Sequence, residues 1–96
     1  MDKYIEKRQA TRHQIAVPIR YDHGIGTTRD VSLSGVYFTT DKMLLAGQHL
    51  RMLFELAFAI PGKSLHLDCQ GHVLRVENVA GQFGIAAVIE EITYLH

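Results

Sequence analysis

Apolar side chains recur at every second position over most of this chain, the spacing of strands with one buried face. Ile15, Val17, Ile19 and Tyr21 alternate with Ala16, Pro18, Arg20 and Asp22. Asp22-His23-Gly24 then signals a turn, and a second strand is expected over 25–31, running back antiparallel. Pro18 has no N–H to give a ladder, so the first strand should be unpaired or irregular on one side there. Gly35 releases the chain into a third strand over 36–40. The clearest alternation follows. Leu50, Met52, Phe54, Leu56, Phe58 and Ile60 share one face, and Arg51, Leu53, Glu55, Ala57 and Ala59 the other. Pro61-Gly62-Lys63 makes a turn. Leu65, Leu67 and Cys69 face one way while His66, Asp68 and Gln70 face the other. Gly71 marks a bulge or bend, after which the strand continues over 73–77. A turn over 78–81 leads to a last strand carrying Phe83, Ile85, Ala87 and Ile89.

Two stretches break the alternation. Asp41 suits a helix N-cap, Met43 to Ala46 favour helix, and Gly47 suits the position past a helix end, so a short helical turn is expected over 41–47. Ile92 and Leu95 lie three apart, which predicts a C-terminal helical stub over one end of the sheet. Six strands in a chain of 96 residues must hide their edges, and closure into an antiparallel β-barrel does so. Residues 1–14 carry no sustained period and read as a flexible N-terminal arm, so residues 1–96 form one domain with the arm at 1–14 and the barrel and stub at 15–96.

Charge changes this picture in one place. The ten Lys and Arg balance the ten Asp and Glu, which disfavours a general binder of DNA or RNA backbones. Four tyrosines and four phenylalanines give little material for a single-strand stacking groove. Yet Lys3, Lys7, Arg8, Arg12 and Arg20 all fall in the first twenty residues. A positive arm on a neutral body suits a small anion. Cys69 is the one cysteine, so no internal disulfide forms. The N-terminus lacks a signal-peptide apolar stretch, and the longest apolar run, 56–60, is too short to span a bilayer. A soluble cytoplasmic protein is expected, with no membrane span.

Chemistry concentrates in two short polar segments. Arg8-Gln9-Ala10-Thr11-Arg12 sets two guanidiniums four residues apart, and Asp30-Val31-Ser32-Leu33-Ser34-Gly35 follows after two strands. Either alone is ordinary: the first as a solvated charged segment, the second as a turn in which Asp30 and Ser32 cap backbone groups. No strained nucleophile turn or matched carboxylate pair accompanies them, so no enzyme is expected. His66, Asp68 and His72 should point outward and Cys69 inward, which disfavours a metal site. No cofactor is expected.

Arg-x-x-x-Arg followed by Asp-x-Ser-x-x-Gly resembles the signature of the PilZ domain, a bacterial receptor for the second messenger cyclic di-GMP. The likeness extends to the looser segments 58–62, 71–75 and 84–86. It implies a six-stranded antiparallel β-barrel of the split-barrel type, with a ligand face lined by Asp30, Ser32 and Gly35 and covered by Arg8 and Arg12. Ser34 stands where a glycine is frequent, a mild departure. Lys7, His13, Ser34 and Arg75 are further candidate contacts, and in the family a basic residue at Lys7's position favours a stacked pair of ligands over one. The resemblance also implies an output: ligand orders the arm, and a monomer or homodimer presents the new surface to an unidentified protein partner. The alternative is a PilZ-like adaptor that binds proteins and no nucleotide.

Overall fold

A computed structural model describes residues 13–60 and 63–95, without the side chains of 56–65 and 94–95. The chain forms β1 (Pro18–Tyr21), β2 (Gly24–Val31), β3 (Gly35–Thr40), β4 (His49–Ile60), β5 (Lys63–Val79) and β6 (Gln82–Leu95). Every pairing is antiparallel, and the sheet closes in the order β1-β2-β3-β6-β5-β4. The expected six-stranded barrel is therefore present. Pro18 opens β1 and has a partner on β2, Thr27, while pairing with β4 begins at Ile19. A proline is tolerated at a strand's first residue because its missing N–H is not called on there.

The inward positions fill the interior. Ile19, Phe38, Leu50, Met52, Cys69, Val73 and Ile85 are almost wholly buried. Tyr21 and Phe38 pack with ring centroids 5.4 Å apart and planes tilted by 47°. The Thr40 hydroxyl donates to the Ile25 carbonyl at 2.9 Å, so the Tyr21 hydroxyl donates to Thr40 Oγ1 at 2.8 Å. Two polar groups are thereby accommodated in an apolar interior without an orphaned donor. Burial pushes the Cys69 thiol up to about 11, and it packs as a small apolar residue.

Register shifts interrupt the ladders, one of them between Leu56 and Ile60 near the β4–β5 turn and three others at single-residue bulges. In β2 the register slips between Thr28 and Asp30, so Thr28 and Val31 both face inward and Arg29 is exposed. In β5 Leu74 has no partner between Val73↔Ala87 and Arg75↔Ala86. Val73 and Val76 both meet the core, and Leu74 is 55% exposed. In β6 Glu90 is skipped between Gly71↔Ile89 and Gln70↔Glu91, so Ile89 and Ile92 both pack inward. The bulge expected near Gly71 is present, and the extra residue lies on β6. Gly71 itself leaves no room for a side chain, since an added Cβ would meet the Val88 carbonyl.

Both helical expectations are overturned. Residues 92–95 continue β6, with Ile92, Thr93, Tyr94 and Leu95 paired to Cys69, Asp68, Leu67 and His66 of the long β5. The register from Ile92↔Cys69 to Leu95↔His66 is unbroken, and β5 offers there a ladder that a helical stub would forgo. Residues 41–48 form a loop. An isolated turn of helix is too short to sustain itself. The loop instead buries Leu44, and its backbone bonds to β5: Gly47 N–H donates to the Val73 carbonyl at 2.7 Å and Val73 N–H to the Gln48 carbonyl at 2.8 Å. Gly47 takes a left-handed φ of 90°. The Pro61-Gly62 turn lies outside the described residues.

On the outer wall, Arg51 Nε and Nη2 donate to the two Asp68 carboxylate oxygens at 3.0 and 2.6 Å. This fork holds the Asp68 carboxyl below the usual carboxylate range. A group depressed on folding stabilises above its unfolded pKa and loses that contribution as pH falls through the folded value. In urea unfolding, Asp68→Asn should be less stable than the native sequence at neutral pH, and the two should converge in acid. A second outcome concerns the β5–β6 turn, where Ala80 (φ 48°) and Gly81 (φ 85°) are both left-handed. That geometry favours Asn-Gly, and Ala at the first position carries a steric cost. Ala80→Asn should stabilise by about 1 kcal/mol, raising the thermal midpoint by roughly 5 °C.

Candidate functional site

The entering chain is fastened to β2 before β1 begins. Thr28 is fully buried. Its hydroxyl donates to the Ile15 carbonyl and accepts from Val17 N–H at 2.9 Å. Thr28 N–H donates to the Val17 carbonyl at 2.9 Å, and Ile15 N–H to the Arg29 carbonyl at 3.2 Å. Further out, His13 and Val31 exchange two backbone hydrogen bonds of 2.9 Å. Residues 13–17 therefore run along β2 and arrive beside the Asp30–Gly35 segment. His13 is exposed there. Arg8, Arg12 and Lys7 lie outside the described residues.

The second polar segment is a hairpin between β2 and β3. Ser32 N–H donates to the Gly35 carbonyl at 2.9 Å. Ser32 Oγ accepts from Gly35 N–H at 3.2 Å and from Ser34 N–H at 3.3 Å, and Ser34 Oγ lies 3.4 Å from it. Ser32 thus closes its own turn, the turn-forming role that serine has in such segments, and remains half-buried. The Ser34 carbonyl accepts from Ile89 N–H at 2.9 Å, which ties the hairpin to β6. Gly35 keeps an ordinary φ, but an added Cβ would lie 3.1 Å from the Ala87 carbonyl. A side chain there would press on the β6 backbone, which would have to give by a few tenths of an ångström. Leu33, at the tip, is 70% exposed.

Asp30 is half-buried, just past the β2 bulge, and begins a rung across four strands: Asp30↔Tyr37, Tyr37↔Ala86, Ala86↔Arg75. Arg75 is the far end of that rung, three strand spacings or about 14 Å along the wall. It is exposed, and its guanidinium lies 3.6 Å from Glu77 Oε2. The hairpin thus gathers His13, Asp30, Ser32, Ser34 and Gly35, and Arg75 stands apart on the same face.

Two residues on this face escaped the sequence reading. Tyr37 lies two positions after Gly35 and so shares its face, a signal present in the strand period. Its hydroxyl donates to Glu77 Oε2 at 3.1 Å. Burial, and then the Glu77 carboxylate, raise its phenol pKa, against the pull of Arg29 and Arg75. Arg29 was placed by the bulge, which strand alternation alone does not show. Among the described residues, no group of three or more His, Cys, Asp or Glu is placed to hold a metal ion, and no helix is long and apolar enough to cross a membrane.

Because Ser32 Oγ holds the hairpin, Ser32→Ala should destabilise the fold by about 1 kcal/mol in chemical denaturation, even without any ligand. Ser32→Thr, which keeps the hydroxyl, should recover most of that loss.

Comparison with known proteins agrees with this geometry. A search of curated proteins found no significant match. Among solved structures, the Bacillus subtilis inhibitor of motility (MotI/DgrA) superposes with a TM-score of 0.80 at 15% identity. The alignment covers 90% of this chain and 44% of that one, so this chain spans less than half the length of that protein. At this identity the likeness shows the fold. A family model described as PilZ domain matches residues 6–93, a span that includes both polar segments. The chain belongs to the PilZ domain family.

Proposed function

We propose that this PilZ domain is a receptor for cyclic di-GMP that signals by ordering its N-terminal arm and presenting the new surface to a protein partner. The observation that carries the reading is the backbone bridge between His13 and Val31. It fixes His13, the residue that directly follows the Arg-x-x-x-Arg segment in sequence, beside the Asp30–Gly35 hairpin. Cyclic di-GMP offers two phosphates and two guanines in one ring. The planar guanidinium fork of Arg8 or Arg12 matches either a phosphate or the O6/N7 edge of guanine. Asp30 accepts from a guanine amino group or orients an arginine. Ser32 has turn bonds of 3.2–3.4 Å, long enough to be exchanged for a ligand oxygen. Gly35 keeps the wall low where the ring would lie. None of these groups performs covalent chemistry in this reading.

A second reading is an adaptor that binds protein without nucleotide. It draws on the exposed aliphatic side chains of Met43, Leu45 and Leu74, since exposed apolar surface is a common mark of protein contacts. Both arginines and the Asp/Ser/Gly set are retained in this chain, which favours the receptor.

Calorimetric titration with cyclic di-GMP, beside GTP, cyclic GMP and an oligonucleotide, separates the two. The native sequence should bind cyclic di-GMP alone, and Arg8→Ala and Arg12→Ala should each lose about 1–3 kcal/mol. Amide exchange over residues 1–14 should slow at saturating ligand. No binding at micromolar concentration, or unchanged affinity in both variants, overturns the receptor; unchanged exchange overturns the ordering step.

A further inference from the structure

The outer wall between Asp30 and Arg75 holds a braced aromatic ring. Tyr37 sits between them on the shared rung. Its side chain does not stand out from the sheet. It crosses β6 diagonally and donates to Glu77 on β5 at 3.1 Å. The crossing is possible because position 84 is glycine: an added Cβ would collide with the Tyr37 hydroxyl and lie 2.7 Å from its Cζ. Glu77 is steadied in turn by Arg75 at 3.6 Å. The ring therefore lies along the wall, packed from below by β6 and anchored at its far end. Tyr37 is half-buried, so part of its surface remains open to the outside. Gly35 and Ala86 flank it with little or no side chain, leaving a shelf beside the ring. Arg29, on β2, and Arg75, on β5, both act on the phenol electrostatically.

We propose that Tyr37 is a ligand-binding residue of this face: its ring, braced by Glu77 and Gly84, is the floor on which one guanine of the cyclic dinucleotide stacks. The proposal rests on the receptor reading and adds a contact outside both signature segments. A purine has a flat π-face, and stacking on a fixed aromatic ring costs little ordering because the ring is already held. The shared rung puts Asp30 on one side of the shelf and Arg75 on the other. Arg75 supplies charge to a phosphate or to the base edge while Glu77 keeps the phenol in place. Glu77 is thus a positioning residue, and Tyr37 the one that touches ligand.

The test uses the whole chain and cyclic di-GMP, with tyrosine-ring proton shifts and calorimetry read in parallel. In the native sequence the Tyr37 ring protons should move upfield at saturation, the ring-current mark of a stacked base. Tyr37→Leu should weaken binding on the order of tenfold, and Tyr37→Phe, which keeps the ring but loses the hydroxyl anchored by Glu77, should lose less than Tyr37→Leu. The proposal is overturned if the native ring protons stay put while ligand binds, or if a folded Tyr37→Leu binds as the native sequence does. Those outcomes leave the receptor reading standing. If the native sequence itself gives no binding, both fall together. Should Tyr37→Leu fail to fold, the ring-proton shift of the native sequence decides the matter without it.

Discussion

Closing six strands around a single small interior is the constraint from which the rest of this structure follows. A sheet this narrow must coil sharply, and regular pleating does not bend enough. The chain meets the demand with bulges at Arg29, Leu74 and Glu90. Each inserts one unpaired residue, bends its strand and reverses which side chains face inward. The consequence is visible in three apolar or buried pairs spaced three apart: Thr28 with Val31, Val73 with Val76, and Ile89 with Ile92. Each pair fills the interior on both sides of a bend.

The same devices build the outer wall. At β2 the bulge turns Arg29 outward and sets Asp30 opposite Tyr37. It also turns Thr28 inward, where the hydroxyl secures residues 15 and 17. The path of the N-terminal segment and the position of the candidate aspartate therefore share one cause. At β6 the bulge frees Glu90 to accept from His72 at 3.0 Å. At β5 it puts Leu74 into solvent and brings Arg75 level with the Asp30 rung. Stability and site geometry are not separable here, because the residues that let the barrel close also decide what its surface displays.

Ser32 illustrates the same overlap at the scale of one side chain. A hydroxyl that closes a hairpin is in place before any ligand arrives, which lowers the ordering cost of a later contact. The zero net charge of the chain fits a compact anion held by a few placed cations better than a polymer held by a field. Membership of the PilZ family and a barrel shared with a motility inhibitor at 15% identity show that this fold accommodates widely different sequences.

Much of the fold was legible in the chain. Alternating apolar residues placed β1, β4, β5 and β6, because a strand buried on one face must repeat every second residue, and the flanking turn and glycine signals placed β2 and β3. Asp22-His23 announced a tight turn, Gly71 a bend, and the two polar segments announced the family. The strand ends, the absence of helix over 41–47 and the extension of β6 to Leu95 were not legible. Each depends on a partner distant in sequence: Val73 for the loop, β5 for the last strand. Local propensity favoured helix over 41–47 and a three-residue spacing suggested it near the C-terminus, and both lost to backbone hydrogen bonds offered by the closed sheet. The candidate site divides the same way. Asp30, Ser32 and Gly35 could be named from their order alone, whereas Tyr37 acquires meaning only once Gly84 and Glu77 are brought beneath and beside it, a proximity made by pairing across β3, β6 and β5.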